Sequence, residues 1–315
     1  MSTKPVIGFI GLGFMGHGMA VNIRKAGYAL YVKGNRNRSP IDDLVAKGAI
    51  EVTSGAQMAE ICDIIFICLS NSPQVEAIIR GPMGILEGAR PGVIVVDTST
   101  ADPASTQSLA ADLAKMDMIM ADAPLGRTPK EAEAGTLDAM VGCDEATFAT
   151  LKPVIDCWAA NINHIGTVGS AHQMKLLMNF IAMGYAALYS EAVVLGAKVG
   201  IAPQMVEKVI GSSRLSNGFF DTFMKYTVGR DRDAHRFTMT NAAKDVGYVA
   251  NMAQSAGVVN IMGAAINQYF THVTATGKGD DFVPMLADHL GALNGVDIAQ
   301  VVATANSLAA AKSKA

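Results

Sequence analysis

The sequence predicts an α/β chain: a doubly wound, mainly parallel sheet followed by an all-α domain. Three observations carry this. The first half alternates short β-branched apolar runs with helical stretches, and such continuous apolar strands are those of parallel sheets buried on both faces. After about residue 166 the strand signal fades and Ala/Met/Leu-rich stretches take over. The chain has 315 residues, 50% of them hydrophobic and 17% charged, which is long for one core and apolar enough to bury two.

Element by element, VIGFI (6–10) predicts a strand and GHGMAVNIRKAG (16–27) a helix ending at Gly27. ALYVKG (29–34) is a second strand and DDLVAKG (42–48) a short helix. IIFICL (64–69), GVIVVDT (92–98) and MIMADAP (118–124) are further strands, with helices near PQVEAII (73–79) and DPASTQSLAADLAK (102–115). LDAMVG (137–142) adds a strand and ATFATLKPVIDCWA (146–159) a helix. Helical stretches follow at 170–199, 203–211, 216–228, 239–256, 260–276 and 282–289. The C-terminal AATANSLAAAKSKA reads as a helix that frays. The glycine-rich GTVGSA (166–171) divides the chain into domains 1–166 and 167–315.

A net charge of −3 implies no broad basic face for nucleic acid or an anionic membrane. The N-terminus lacks the pattern of a signal peptide, and no run of about 18 apolar residues predicts a membrane span. Cys62, Cys68, Cys143 and Cys157 show neither CxxC nor zinc-ligand spacing, so the expectation is buried thiols, no metal and a cytoplasmic setting.

Gly11-Leu12-Gly13-Phe14-Met15-Gly16 has the spacing G-x-G-x-x-G, after a strand and at the start of a helix. In that context Gly11 permits the tight turn, Gly13 the approach of a pyrophosphate, and Gly16 close helix–strand packing. This predicts a Rossmann-type domain that binds a dinucleotide. An NAD site usually has Asp or Glu at the end of the second strand, for the ribose 2′-OH. Here Tyr31 to Pro40 read YVKGNRNRSP, with Lys33, Arg36 and Arg38 and no carboxylate before Asp42. Guanidinium groups pair with a 2′-phosphate, which favours NADP(H), with NAD(H) as the alternative. Asn35 and Asn37 are further candidates for the ribose.

Doubly wound sheets bind ligands at the carboxyl ends of their strands. Leu69 and Ser70 lie there in CLSNSPQV, as do Ser99 and Thr100 in DTSTADP, where Thr100 or Asp102 also suits a helix cap. In DAPLGRTPKEAEAGTLDAMVG (122–142), Pro124, Gly126 and Pro129 predict a loop, with Arg127 and Thr128 at its centre. An arginine at that edge suits an anionic ligand. HQMKLLMNFIAMGYAALY (172–189) is a helix pattern apolar on every side, which predicts burial. It nevertheless carries Lys175 and, one turn on, Asn179. An ammonium and an amide there suit carbonyl reduction beside a cofactor.

Together these segments resemble the β-hydroxyacid dehydrogenase family over nearly the whole chain. IGFIGLGFMGHGMAVN looks like its opening fingerprint, DTSTADP its D-x-S-T segment, and DAPLGRTPKEAEAGTLDAMVG its substrate loop. GTVGSAHQMKLLMN looks like its catalytic segment and NAAKDVGYV its later K-D segment. The resemblance implies Lys175 as general acid/base, best served by a pKa lowered toward neutrality. It implies Asn179 to orient lysine or substrate, and Ser99 at substrate or nicotinamide. Lys244 would lie near the cofactor, with Asp245 in support. Substrate contacts would come from Gly126, Arg127 and Thr128, which replace a common Ser-Gly-Gly and resemble the variant of sulfolactaldehyde reductases. Ala171 replaces a family glycine, and Met178 stands where many members have asparagine.

The implied activity is hydride transfer between a nicotinamide cofactor and a short anionic 3-hydroxy acid or its semialdehyde, by a homo-oligomer. Alternatives are a sulfolactaldehyde reductase-like enzyme, an imine reductase-like enzyme, in which the lysine is commonly replaced, and a non-catalytic NADP-binding interaction protein. Arg214 adds charge near the mouth of the site in such folds. Arg230, Arg232 and Arg236 read as a solvated turn, and His164 and His172 as cap or surface residues.

Overall fold

The computed structural model describes residues 4–312. Nine strands form one sheet: β1 (Ile7–Ile10), β2 (Leu30–Lys33), β3 (Ile50–Glu51), β4 (Ile64–Ile67), β5 (Ile94–Asp97), β6 (Ile119–Asp122), β7 (Leu125–Gly126), β8 (Leu137–Gly142) and β9 (Ala159–Gly166). Between them run α1 (Gly16–Lys25), α2 (Ser39–Ala46), α3 (Gly55–Ile61), α4 (Ser72–Arg80), α5 (Pro103–Ala114), α6 (Pro129–Ala134) and α7 (Glu145–Ile155). Then come α8 (Ser170–Lys198), α9 (Pro203–Gly211), α10 (Gly218–Thr227), α11 (Met239–Ser255), α12 (Ile261–Ala275), α13 (Leu286–Leu293) and α14 (Ile298–Lys312).

Strand order is β3-β2-β1-β4-β5-β6-β8-β7, with β9 on β8. The first six strands are parallel neighbours in the doubly wound order, and β8 runs antiparallel to β6. Successive residues of each central strand enter opposite cores. Phe9, Phe66 and Val96 lie on one face, and Ile10, Ile65 and Val95 on the other. That is why the strand sequences are apolar without alternation.

Two compact units divide between Leu176 and Leu177, inside α8 and beyond the glycine-rich segment. The second unit is helical, around Phe220, Phe223, Phe270 and Leu286. Among the described residues α8 is the one helix long and apolar enough to cross a membrane by length and composition. The run-length criterion misses it because Lys175, Asn179 and Glu191 interrupt the apolar sequence.

The structure corrects several sequence expectations. The segment 122–142 is not all loop: Thr128 N–H donates to the Glu131 carboxylate in a capping box that starts α6. The helix at 172–189 is not buried all round, since Ile181, Tyr185 and Leu188 are exposed. Arg230 is no solvated turn residue. It grips Asp288 at 3.0 and 2.5 Å and lies 4.4 Å from the Tyr226 ring. His172 is fully buried, so its side chain is neither cap nor surface.

Candidate active site

The carboxyl ends of five adjacent strands stand in one row. Ile10 pairs with Lys33 on one side and Ile67 on the other, Ile67 with Asp97, and Asp97 with Asp122. The segments singled out in the sequence therefore leave the sheet side by side: the glycine loop, the basic turn, Leu69–Ser70, Ser99–Thr100 and the 122–128 segment. This is the crevice edge at which such sheets bind ligands.

The glycine loop fits a dinucleotide. Gly11 has φ 96°, and a Cβ there would come within 2.1 Å of the Cys68 carbonyl oxygen. A Cβ on Gly16 would sit 2.0 Å from the Gly11 oxygen, so only glycine lets α1 approach β1 this closely. Gly13 is different: it is exposed, and a Cβ would meet nothing within 4 Å. Contact within the protein thus explains Gly11 and Gly16 but not Gly13, whose open side is where a pyrophosphate would approach. Leu12 is buried in the core, Met15 packs against it, and Phe14 is exposed, so Leu12 offers a ligand only its backbone.

In the basic turn Asn35, Arg36 and Arg38 are all exposed. Arg38 is held by carboxylates: Glu51 takes both its terminal nitrogens, at 2.6 and 2.9 Å, and Asp42 accepts at 3.0 Å. The guanidinium hydrogen bond holds Glu51 below the usual carboxylate range. Glu51 lies on β3, a strand too short to be read from sequence.

Ser99 is held on three sides. Its N–H donates to Asp97 Oδ1 at 2.9 Å, its hydroxyl accepts from Leu69 N–H at 2.9 Å, and its carbonyl accepts from the His172 ring at 3.1 Å. Ser70 N–H donates to Gln74, and Thr100 precedes Asp102, which caps α5. Arg127 has φ 75°, a left-handed conformation that L side chains adopt at a cost. It is the position at which the resemblance expects glycine. Its Nε donates to Asp138 at 2.9 Å, and Asn161 donates to the same carboxylate at 2.7 Å. These bonds, Arg127's first, hold the Asp138 carboxyl below its ordinary range. Gly126 is partly buried, and Thr128 is engaged as the cap of α6.

Lys175, half-buried, lies on the second turn of α8. That helix starts on a buried carboxylate: Asp122 accepts from the N–H of Gly169 at 2.6 Å and of His172 at 2.7 Å. Anionic acceptors suit a helix N-terminus. Burial nevertheless pushes the Asp122 carboxyl above its usual value, and the His172 ring and the two amides only partly offset this. Sequence reading gave Asp122 no role. The signal present was its register with Asp97 at the end of an apolar strand.

In the helical unit Asn179 donates to Asp245 at 2.6 Å, and Lys244 lies 3.2 Å from the same buried carboxylate. Arg214 is exposed in the turn between α9 and α10. Among the described residues no cluster of three or more His, Cys, Asp or Glu could hold a metal ion.

This geometry is that of a dinucleotide-binding protein, and comparison with known proteins identifies a nicotinamide dinucleotide-dependent oxidoreductase. The family model for the NAD-binding domain of 6-phosphogluconate dehydrogenase matches residues 6–166. The model for the NAD-binding domain of NADP-dependent 3-hydroxyisobutyrate dehydrogenase matches 169–288. The chain is 33% identical to 2-(hydroxymethyl)glutarate dehydrogenase of Eubacterium barkeri, over 89% of this chain and 92% of that one. It is 30% identical to 3-sulfolactaldehyde reductase of Escherichia coli, over 87% and 91%. A crystal structure of 3-hydroxyisobutyrate dehydrogenase from Salmonella typhimurium superposes with a TM-score of 0.77 at 27% identity, covering 90% and 98%. The chain belongs to the β-hydroxyacid dehydrogenase family of NAD(P)-dependent oxidoreductases, which act on the hydroxyl groups of hydroxy acids.

Proposed function

We propose that the chain interconverts a short 3-hydroxy acid and its semialdehyde, with Lys175 as general acid/base and NADP(H) preferred. The observation that carries this is the shared anchoring of two segments. Ser99 and the first turn of α8, which leads to Lys175, are both tied to the carboxyl ends of β5 and β6. When bound, the cofactor supplies or accepts the hydride. In reduction Lys175 Nζ gives a proton to the carbonyl oxygen, and in oxidation it takes the hydroxyl proton. Ser99, with its hydroxyl oxygen occupied by Leu69 N–H, has its own hydrogen left to donate. Asn179, steadied by Asp245, orients lysine or substrate.

Arg127 supports an anionic head group, carboxylate or sulfonate, through the guanidinium nitrogens that Asp138 leaves unused. For the cofactor, Arg36 supports NADP(H), while Arg38 contributes only as far as Glu51 releases it. Ile181, Tyr185, Leu188 and Leu195 recur along α8 at spacings of four, three and seven, all exposed. Such a heptad-like seam supports a homo-oligomer. Four cysteines present as thiols support a cytoplasmic setting.

The test is steady-state turnover with NADPH and with NADH on succinate, tartronate and methylmalonate semialdehydes and on sulfolactaldehyde. The expected result is turnover of at least one, with NADPH preferred. If both cofactors bind and none of the four is reduced, the substrate reading fails. An NADH preference overturns the cofactor reading alone.

A further inference from the structure

His172 is fully buried, one turn before Lys175 on α8. Its ring hydrogen-bonds two partners and lies 3.9 Å from the Asp97 carboxylate and 3.8 Å from that of Asp122. Nε2 lies 3.1 Å from the Ser99 carbonyl oxygen and Nδ1 2.8 Å from the Thr106 hydroxyl. A carbonyl only accepts, so Nε2 carries a hydrogen, and Nδ1 forms the second bond with the Thr106 hydroxyl. Thr106 lies on the first turn of α5, 3.2 Å from the Asp102 carbonyl that opens that helix. The backbone N–H of His172 is bound by Asp122 at 2.7 Å. One residue therefore joins the segment after β5, the start of α5, the end of β6 and the start of α8.

We infer that His172 is a positioning residue, which fixes the Ser99 segment relative to the helical turn that bears Lys175. It touches neither substrate nor cofactor and acts through the Ser99 carbonyl and the backbone of α8. The inference rests on the reading of Ser99 and Lys175 given above. Burial makes the arrangement stiff: without the ring, the Ser99 carbonyl loses the partner that now satisfies it, and the Thr106 hydroxyl keeps only the Asp102 carbonyl. Misplacement by about 1 Å of groups that act together costs up to about 100-fold in rate.

The test compares His172→Leu, which fills the space and breaks both bonds, with His172→Gln, whose amide can donate to Ser99 and still reach the Thr106 hydroxyl. Thr106→Val loosens the ring from its other side and keeps the core packed. With NADPH and tartronate semialdehyde, His172→Leu is expected to lower kcat at least about 10-fold, with cofactor KM within about twofold. The primary isotope effect from deuterated NADPH should grow as hydride transfer becomes limiting. His172→Gln should restore kcat to within about threefold, and Thr106→Val should fall between. Hydrogen exchange, which needs no substrate, should accelerate together at residues 98–100 and 170–175 in His172→Leu and stay unchanged at 7–10.

Wild-type kcat in His172→Leu with only a lower Tm would overturn the inference, as would failure of His172→Gln to recover. Unchanged exchange at either segment would do the same. Full turnover by Lys175→Met would sink the acid/base reading instead, whatever the His172 variants do.

Discussion

Asn179 donates its amide hydrogen to Asp245 Oδ2 at 2.6 Å. The bond joins α8 to α11 within the helical unit, and Asp245 is 1% exposed. It gives the amide one direction, with the oxygen end turned away from the carboxylate. A hydrogen bond to a buried charge contributes about 1.5–3 kcal/mol. Asp245→Ala is therefore expected to lower kcat about 10-fold or more, and Asp245→Asn, which keeps a neutral acceptor, to lower it less. Steady-state kinetics of the pair checks this. Wild-type kcat in Asp245→Ala would show that the orientation of Asn179 is immaterial.

Arg127 separates stability from function. Its left-handed backbone costs about 1–2 kcal/mol, and glycine removes that cost while adding freedom to the unfolded chain. The exposed pair with Asp138 contributes little. Arg127→Gly should unfold in urea at a stability equal to wild type or up to about 1 kcal/mol higher, while substrate KM rises at least about 10-fold. A variant that loses stability and keeps its KM would contradict both halves.

The proposed cofactor preference gives Glu51 a testable role. If NADP(H) is bound as proposed, the carboxylate clasping Arg38 with two bonds competes with the 2′-phosphate for it. Glu51→Gln should lower KM for NADPH between about twofold and fivefold, the range of an exposed ion pair, and leave NADH nearly unchanged. Parallel KM measurements decide it. An equal change for both cofactors would place Arg38 away from the 2′ position.

Asp122 predicts a pH dependence. Burial raises its folded pKa above the unfolded value, so the folded state holds the proton more tightly. Its titration contributes stability below the ordinary carboxylate range and loses it as pH rises through the folded value. Asp122→Asn cannot titrate there. Urea unfolding between about pH 4 and about pH 8 should show wild type losing stability relative to Asp122→Asn as pH rises. A flat or opposite difference would mean that the His172 ring and the Gly169 and His172 amides outweigh burial.

The parallel core of the sheet was legible in the sequence because strands buried on both faces are apolar without interruption, as in IGFI and IIFI. The edge was not. β3 has two residues, and β9, AANINHIG, alternates with polar side chains because one face is exposed. α6 was hidden behind Pro124, Gly126 and Pro129, since a Pro at the first helical position also reads as a turn. Within the site, glycine spacing and the lysine–asparagine pair stood out because their chemistry is local. The roles of Asp122, Asp138 and His172 come from partners 47, 11 and 73 residues away in sequence, and no periodicity records such a pairing.

The most direct test of the account is Lys175→Met, assayed for NADPH-dependent reduction of the semialdehyde panel and, by fluorescence, for NADPH binding. The expected result is a fall in kcat/KM of at least about 100-fold while NADPH binds as to the wild type. Turnover close to wild type with binding unchanged would contradict it and remove Lys175 from the chemistry.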